Sequence, residues 1–330
     1  MNRIILSTTL ALAAATPFAM RGADSPDNPN RLFLGPRFGL NFKADFRNNA
    51  VNPGPAAGDA NHTYNDGYVL VDSSGDAGGL TWNWGYQNAS QYNSVNDTMR
   101  FLQSSGPSSV TGNPQYGAEL VYQRVVGSLP SSSGCWGLEA AFGFTDLDLR
   151  ENLSRTATVD SYSFPPNNGV GVLPPSAGYN GTFSGPGALL GDTPTRTTAN
   201  LTGYQKLSGQ LFGIRLGPFA EWNFTSKLSL DASVGLTLAP ALVDYDFSET
   251  ATLPGGGGTF AESGHSSKAK LLYGPYVGGM LRYAFNKNWG VYAGAQFQNL
   301  TDMEQSVGGR TARLDPSVTV YGTVGASWSF

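Results

Sequence analysis

Ten charged side chains hold most of the chemistry this sequence has to offer. Arg37, Lys43, Arg215, Lys270 and Arg282, with Asp45, Glu119, Glu139, Glu221 and Asp231, stand in runs where every second residue is apolar, five of each sign. Residues two apart share a face of a β-strand, so all ten are expected opposite the apolar face. An unpaired ion in a narrow interior costs several kcal/mol, on the order of breaking a buried pair. Opposite charges gathered there should therefore pair.

Catalysis is poorly provided for. Proton transfer at neutral pH wants a group titrating near 7, and the chain has only His62 and His265, both expected in loops. His265, in S-G-H-S-S, stands just before an alternating run, and a solvated loop histidine is expected there over a catalytic site at the end of that run. There is no G-x-S-x-G, and Gly255 to Gly258 lacks the Lys and Ser/Thr of a phosphate loop. Asp72-Ser-Ser-Gly-Asp76 looks like half a calcium loop without the closing Glu, and a polar turn is expected instead. Trp82, Trp84 and Tyr86 are expected to hold a long loop together; a sugar platform is the other reading. No catalytic residue, metal site or cofactor is expected.

The elements that would position the charges have the period of strands. From Asp315 to Phe330, Val318, Val320, Gly322, Val324, Ala326, Trp328 and Phe330 share one face, with Ser, Thr, Tyr and Gly on the other. The same alternation runs through Leu34–Phe46, Gln115–Val126, Trp136–Leu149, Leu207–Trp222, Leu228–Tyr245, Lys268–Phe285 and Trp289–Gln298. Near Asp146 the apolar positions change parity, which reads as a bulge or as the strand leaving the membrane. Long Gly-, Asn- and Pro-rich connections alternate with short turns, the habit of transmembrane barrels. The first two long connections, of about 65 and 55 residues, are read as loops; the first holds a hairpin of Tyr68–Asp72 with Leu80–Tyr86, read as an extracellular extension, and counting it as transmembrane would raise the strands to ten.

Composition agrees. Charged residues are only 13% and glycines number 43 of 330. That is few charges for a soluble enzyme and much glycine for a helical protein. A net charge of −4 argues against nucleic acid as a partner. The N-terminus, Asn2-Arg3 followed by apolar Ile4 to Ala15, reads as a secretory signal over residues 1–23 with cleavage between 15 and 23. A linker over 24–33 and a barrel over 34–330 are expected to follow. Cys135 is the single cysteine, so no intramolecular disulfide can form.

Together these residues resemble small outer-membrane barrels of the OmpA, OmpX and OmpW type. The resemblance implies an all-β, eight-stranded antiparallel up-and-down barrel in the cell outer membrane, with lipid and lipopolysaccharide around it. It also implies that Trp328 and Phe330 serve as the signal read by the barrel-assembly machinery. The expected role is structural or surface-interacting, with the interior plugged by paired charges; a narrow porin-like channel and an exported soluble β-sandwich are the alternatives.

Overall fold

The computed structural model describes residues 28–48, 68–71, 82–85, 92–93, 98–112, 114–129, 134–163 and 195–330. The signal segment, His62, Asp72, Asp76 and Tyr86 lie outside the described residues. In chain order the strands begin with β1 (Asn30–Leu40), β2 (Lys43–Asn48), β3 (Tyr68–Val71), β4 (Trp82–Gly85), β5 (Tyr92–Asn93), β6 (Thr98–Ser104) and β7 (Ser108–Thr111). The long wall strands follow: β8 (Gln115–Ser128), β9 (Gly134–Ser163), β10 (Thr195–Asn223), β11 (Leu228–Thr252) and β12 (Thr259–Ala284). The set closes with β13 (Trp289–Gln298), β14 (Met303–Val307), β15 (Arg310–Asp315) and β16 (Thr319–Ser329).

Eight of these form a closed antiparallel ring in the order β8, β9, β10, β11, β12, β13, β16, β1 and back to β8. β1 closes it, with Arg31 opposite Ser329 on one side and Gln123 on the other. The wall begins at Asn30, earlier than the Leu34 read from the alternation. At one end the strands are joined by tight turns. Asn286 Oδ1 accepts from the N–H groups of Asn288 and Trp289 at 2.9 and 2.8 Å, and Thr225 Oγ1 does the same for Lys227 and Leu228 at 3.2 and 3.0 Å. Asn and Thr hold these turns because their short side chains can satisfy nearby amides. Asn30 and Phe330 exchange backbone hydrogen bonds at this same end.

The exterior carries a continuous apolar band. Leu34, Tyr116, Leu216, Leu236 and Tyr273 are each 60–67% exposed, a pattern that suits lipid and would be an aggregation hazard in water. Rings border it at the turn end, where Trp289 stacks on Trp328 at 6.1 Å and Trp328 on Phe330 at 4.5 Å. A closed ring of this size with such a band is a membrane-spanning barrel of the outer-membrane type.

Four strands, β9 to β12, are 25 to 30 residues long, whereas crossing lipid takes roughly 9–11. They continue past the membrane and carry the wall with them. On the opposite side a four-stranded sheet, β14-β15-β2-β7, extends the shorter strands, with β14 lying against β12 and β7 against β9. Segments read as loops are therefore wall: Glu151–Ser163, Thr195–Lys206 and most of 301–313. In the first long connection, β3 pairs with β4 as expected, and β5, β6 and β7 were not foreseen.

The parity change near Asp146 has a simple cause. The β9–β10 register runs without interruption from Gly134 to Ser161, so there is no bulge. Leu147 and Leu149 keep the inward parity of Glu139, and only the surroundings change. Below the change the outside is lipid and the inside polar; above it the outside is water and the inside is a hydrophobic core.

Candidate functional site

The buried inward side chains lie in alternating polar and apolar layers. At the turn end Arg31 grips Glu221 with both terminal nitrogens, Nη2 reaching Oε1 at 3.0 Å. Ser229 Oγ donates to the same carboxylate at 3.3 Å, and Cys135 Sγ lies 3.7 Å from it. Asp231 stands directly across from Glu221 in the β10–β11 register, 1% exposed and with neither carboxylate oxygen hydrogen-bonded. Arg282 donates to Ser327 Oγ at 3.2 Å and Ser329 Oγ at 2.8 Å. A thin apolar layer follows, with the Phe33 and Tyr292 rings edge to face at 5.3 Å.

The second polar layer is at mid-membrane. Glu119 accepts the charge of two arginines, Arg215 Nη2 at 3.0 Å and Arg37 Nε at 3.5 Å. Arg215 also donates to Gln296, and Glu139 accepts from Gln123 Nε2 at 3.0 Å and Tyr276 OH at 3.3 Å. The Arg37 guanidinium lies 3.4 Å above the Tyr321 ring, a cation–π contact that partly replaces lost water. Gly143 makes this possible, because a Cβ there would come within 2.1 Å of Arg37 Nη1. Between these groups remains a cavity of about 10 Å³, lined by residues including Glu119, Glu139, Arg215 and Gln296, about enough for one water.

Above the membrane Phe42, Phe46, Leu147, Leu149, Val243, Tyr245 and their neighbours make a dry core. It is capped by a third polar layer. Arg310 donates to Glu249 Oε2 from Nη2 at 2.9 Å and Nε at 3.2 Å, to Glu262, and to Gly308 O at 2.6 Å. Gln205 Nε2 donates to the other Glu249 oxygen at 3.1 Å, and the Leu102 amide donates to Glu262 at 3.3 Å. Burial opposes the Arg310 charge, but the Glu262 and Glu249 carboxylates outweigh it and hold the guanidinium above its usual range. Burial pushes Glu249 up, with Arg310 pulling back.

Of the ten charges expected inside, Arg37, Glu119, Glu139, Arg215, Glu221, Asp231 and Arg282 line the interior, each 9% exposed or less. Three do not. Asn41 has φ 63°, a left-handed conformation that Asn tolerates, and it ends β1 and restarts the chain as β2 with the faces exchanged. Phe42, Ala44 and Phe46 turn inward, and Lys43 and Asp45 pair on the outer face at 3.0 Å. Lys270 is also exposed, with Nζ donating to Asp302 O at 2.7 Å where β12 and β14 lie side by side. Trp328 and Phe330 point outward, 40% and 41% exposed.

Sequence reasoning missed Arg31, Arg310, Glu249 and Glu262. For three of them the signal is parity carried further: Arg31 is in phase with Arg37, Glu249 with Asp231 and Glu262 with Arg282, whereas Arg310 in β15 is out of phase with the inward Thr319 and Tyr321 of β16. Strands cut at the membrane border could not include them. His265, expected in a loop, is in β12.

No family model matches the chain, and no curated protein matches it. Among solved structures it is similar to Ail, the attachment invasion locus protein of Yersinia pestis, at 10% identity and TM-score 0.25, covering 90% of this chain and 99% of that one. It is likewise similar to the outer membrane protein OprG from Pseudomonas aeruginosa, at 11% identity and TM-score 0.29, covering 92% and 97%. Values this low carry no functional information. The fold is that of a small outer-membrane barrel, on the strength of the ring and its apolar band.

Proposed function

We propose that this is an integral outer-membrane protein whose interior is closed by its own side chains and whose work is done on its outward surfaces. The observation that carries this reading is the stack of filled layers between Arg31 at one end and Arg310 at the other. Eight strands leave an interior that side chains can fill, and here paired charges and apolar cores alternate along its length. A solute crossing it would have to break ion pairs at three levels.

Trp328 and Phe330 are read as the signal for barrel assembly. Their support is an outward position at the turn end, where another protein could read them without opening the barrel. Lipid and lipopolysaccharide are the surroundings this reading implies. It is tested by solute flux into vesicles carrying the refolded protein. A closed barrel gives vesicles no leakier to sodium chloride or a disaccharide than empty ones, and flux that scales with inserted protein would favour the narrow channel.

A further inference from the structure

We propose that Asp246, His265 and Ser267 form an acyl-ester hydrolase site on the outer wall of the barrel, acting on an ester-linked fatty acyl chain of an outer-leaflet lipid. His265 and Ser267 are two apart on β12 and so share its outward face. Asp246 stands opposite His265 in the β11–β12 register, and Asp244 opposite Ser267. Asp246 Oδ1 lies 2.7 Å from His265 Nδ1, and His265 Nε2 lies 3.1 Å from Ser267 Oγ. A nucleophile, a base and an acid that orients the base, each within hydrogen-bond reach of the next, make the geometry that activates a serine hydroxyl.

The location names the substrate class. Ser267 and His265 are exposed, and Asp246 is 38% exposed at its side chain. The next outward residue below Asp244 on β11 is Leu242, 51% exposed, about 7 Å along the strand at roughly 3.3 Å per residue. The three residues thus stand just above the apolar band, on the wall rather than in the interior, at the level where acyl chains are joined to their headgroups. Lys206, opposite Asp246 in the β10–β11 register, adds a cation to the same wall, where its Nζ is held by Asp148 Oδ1 at 3.2 Å.

The reaction is a hydrolysis and needs no redox partner. Ser267 Oγ forms a bond to the ester carbonyl carbon while His265 Nε2 takes its proton, and Asp246 holds His265 Nδ1–H. Collapse breaks the bond from acyl carbon to alkoxy oxygen, and the leaving alkoxide takes the proton from His265. Water then gives a proton to His265 as its oxygen attacks the acyl-serine. Ser267 Oγ leaves and recovers the proton, and the products are an alcohol and a fatty acid. At rest the Ser267 hydroxyl donates to Asp244 Oδ1 at 2.5 Å, so the catalytic step begins by turning it toward His265.

The test uses the full-length protein inserted in vesicles, with folding checked by heat-dependent gel mobility. Fatty-acid release is measured from diacyl phospholipid vesicles and from vesicles also holding lipopolysaccharide, and a fluorophosphonate probe is mapped by mass spectrometry. The expected result is probe on Ser267 and fatty-acid release that falls by about 100-fold or more in Ser267→Ala and in His265→Ala. Ser266→Ala, whose hydroxyl turns the other way to Gln305 at 3.2 Å, should release at the parent rate. Release from phospholipid alone identifies a phospholipid ester, and release only with lipopolysaccharide identifies that lipid; either supports the proposal. Inserted protein that releases nothing and leaves Ser267 unlabelled overturns it, as does release that survives Ser267→Ala.

Discussion

Removing the Arg310 guanidinium would leave Glu249 and Glu262, 1% and 4% exposed, buried without a counter-ion. Breaking a buried pair from one side costs about 3–5 kcal/mol, so Arg310→Ala should lower the denaturant midpoint of the region above the membrane, read by hydrogen exchange along β11 and β12. Glu249 adds a pH dependence of definite sign. Its folded pKa is raised, by burial first, so its contribution to stability is full below the ordinary glutamate value of about 4.3 and is lost as pH rises through the raised value. Exchange protection in this region should therefore increase on mild acidification, and Glu249→Gln should flatten that increase. Asn41 offers a third measurement at this scale. A β-branched residue forced into its left-handed conformation should cost about 1–2 kcal/mol, whereas Asn41→Gly should unfold near the parent midpoint. This residue also explains why Lys43 and Asp45 could not be placed from sequence. The apolar alternation runs unbroken through Asn41, and nothing in it reports that the backbone reverses which face looks inward.

Strand β9 shows how far the sequence could be read at the level of elements. Its membrane half was plain from Leu138, Ala140 and Phe142 outside and Glu139 inside, but its upper half looked like a loop. Beyond Leu149 the outward positions include Asn152, Ser154 and Thr156, so the clue of an apolar outer face disappears once the strand meets water. The turns and ring strands were legible because lipid forces an apolar residue at every second position; the upper wall was not, because only its inner face is constrained. Packing between elements is tight at the Gly143 of β9. Gly143→Val should collide with Arg37 and cost about 1–3 kcal/mol as overpacking, seen as a lower melting temperature of the refolded barrel. For β16, the assembly reading expects Phe330→Ser to slow membrane insertion in cells while leaving the stability of the refolded barrel nearly unchanged. Equal losses of both would show Phe330 to be a packing residue instead.

At the scale of the whole molecule the barrel is a tall cylinder anchored by its apolar band, with a second storey held above the membrane by Phe42, Tyr245, Leu272 and the rest of the dry core. That storey keeps the inward face of β9 to β12 out of water and so lets the strands stay paired well beyond lipid. In the proposed reading it also closes the interior above Arg37, Glu119 and Arg215, whose ion pairs close it at mid-membrane. The central claim is that nothing passes through. Single-channel recording of the purified, refolded protein in a planar bilayer, beside Arg215→Ala, tests it most directly. The expected trace from correctly inserted protein is silent. Discrete conductance steps in the parent protein, changed in size or selectivity by Arg215→Ala, would contradict the account and make the charged layers a pathway.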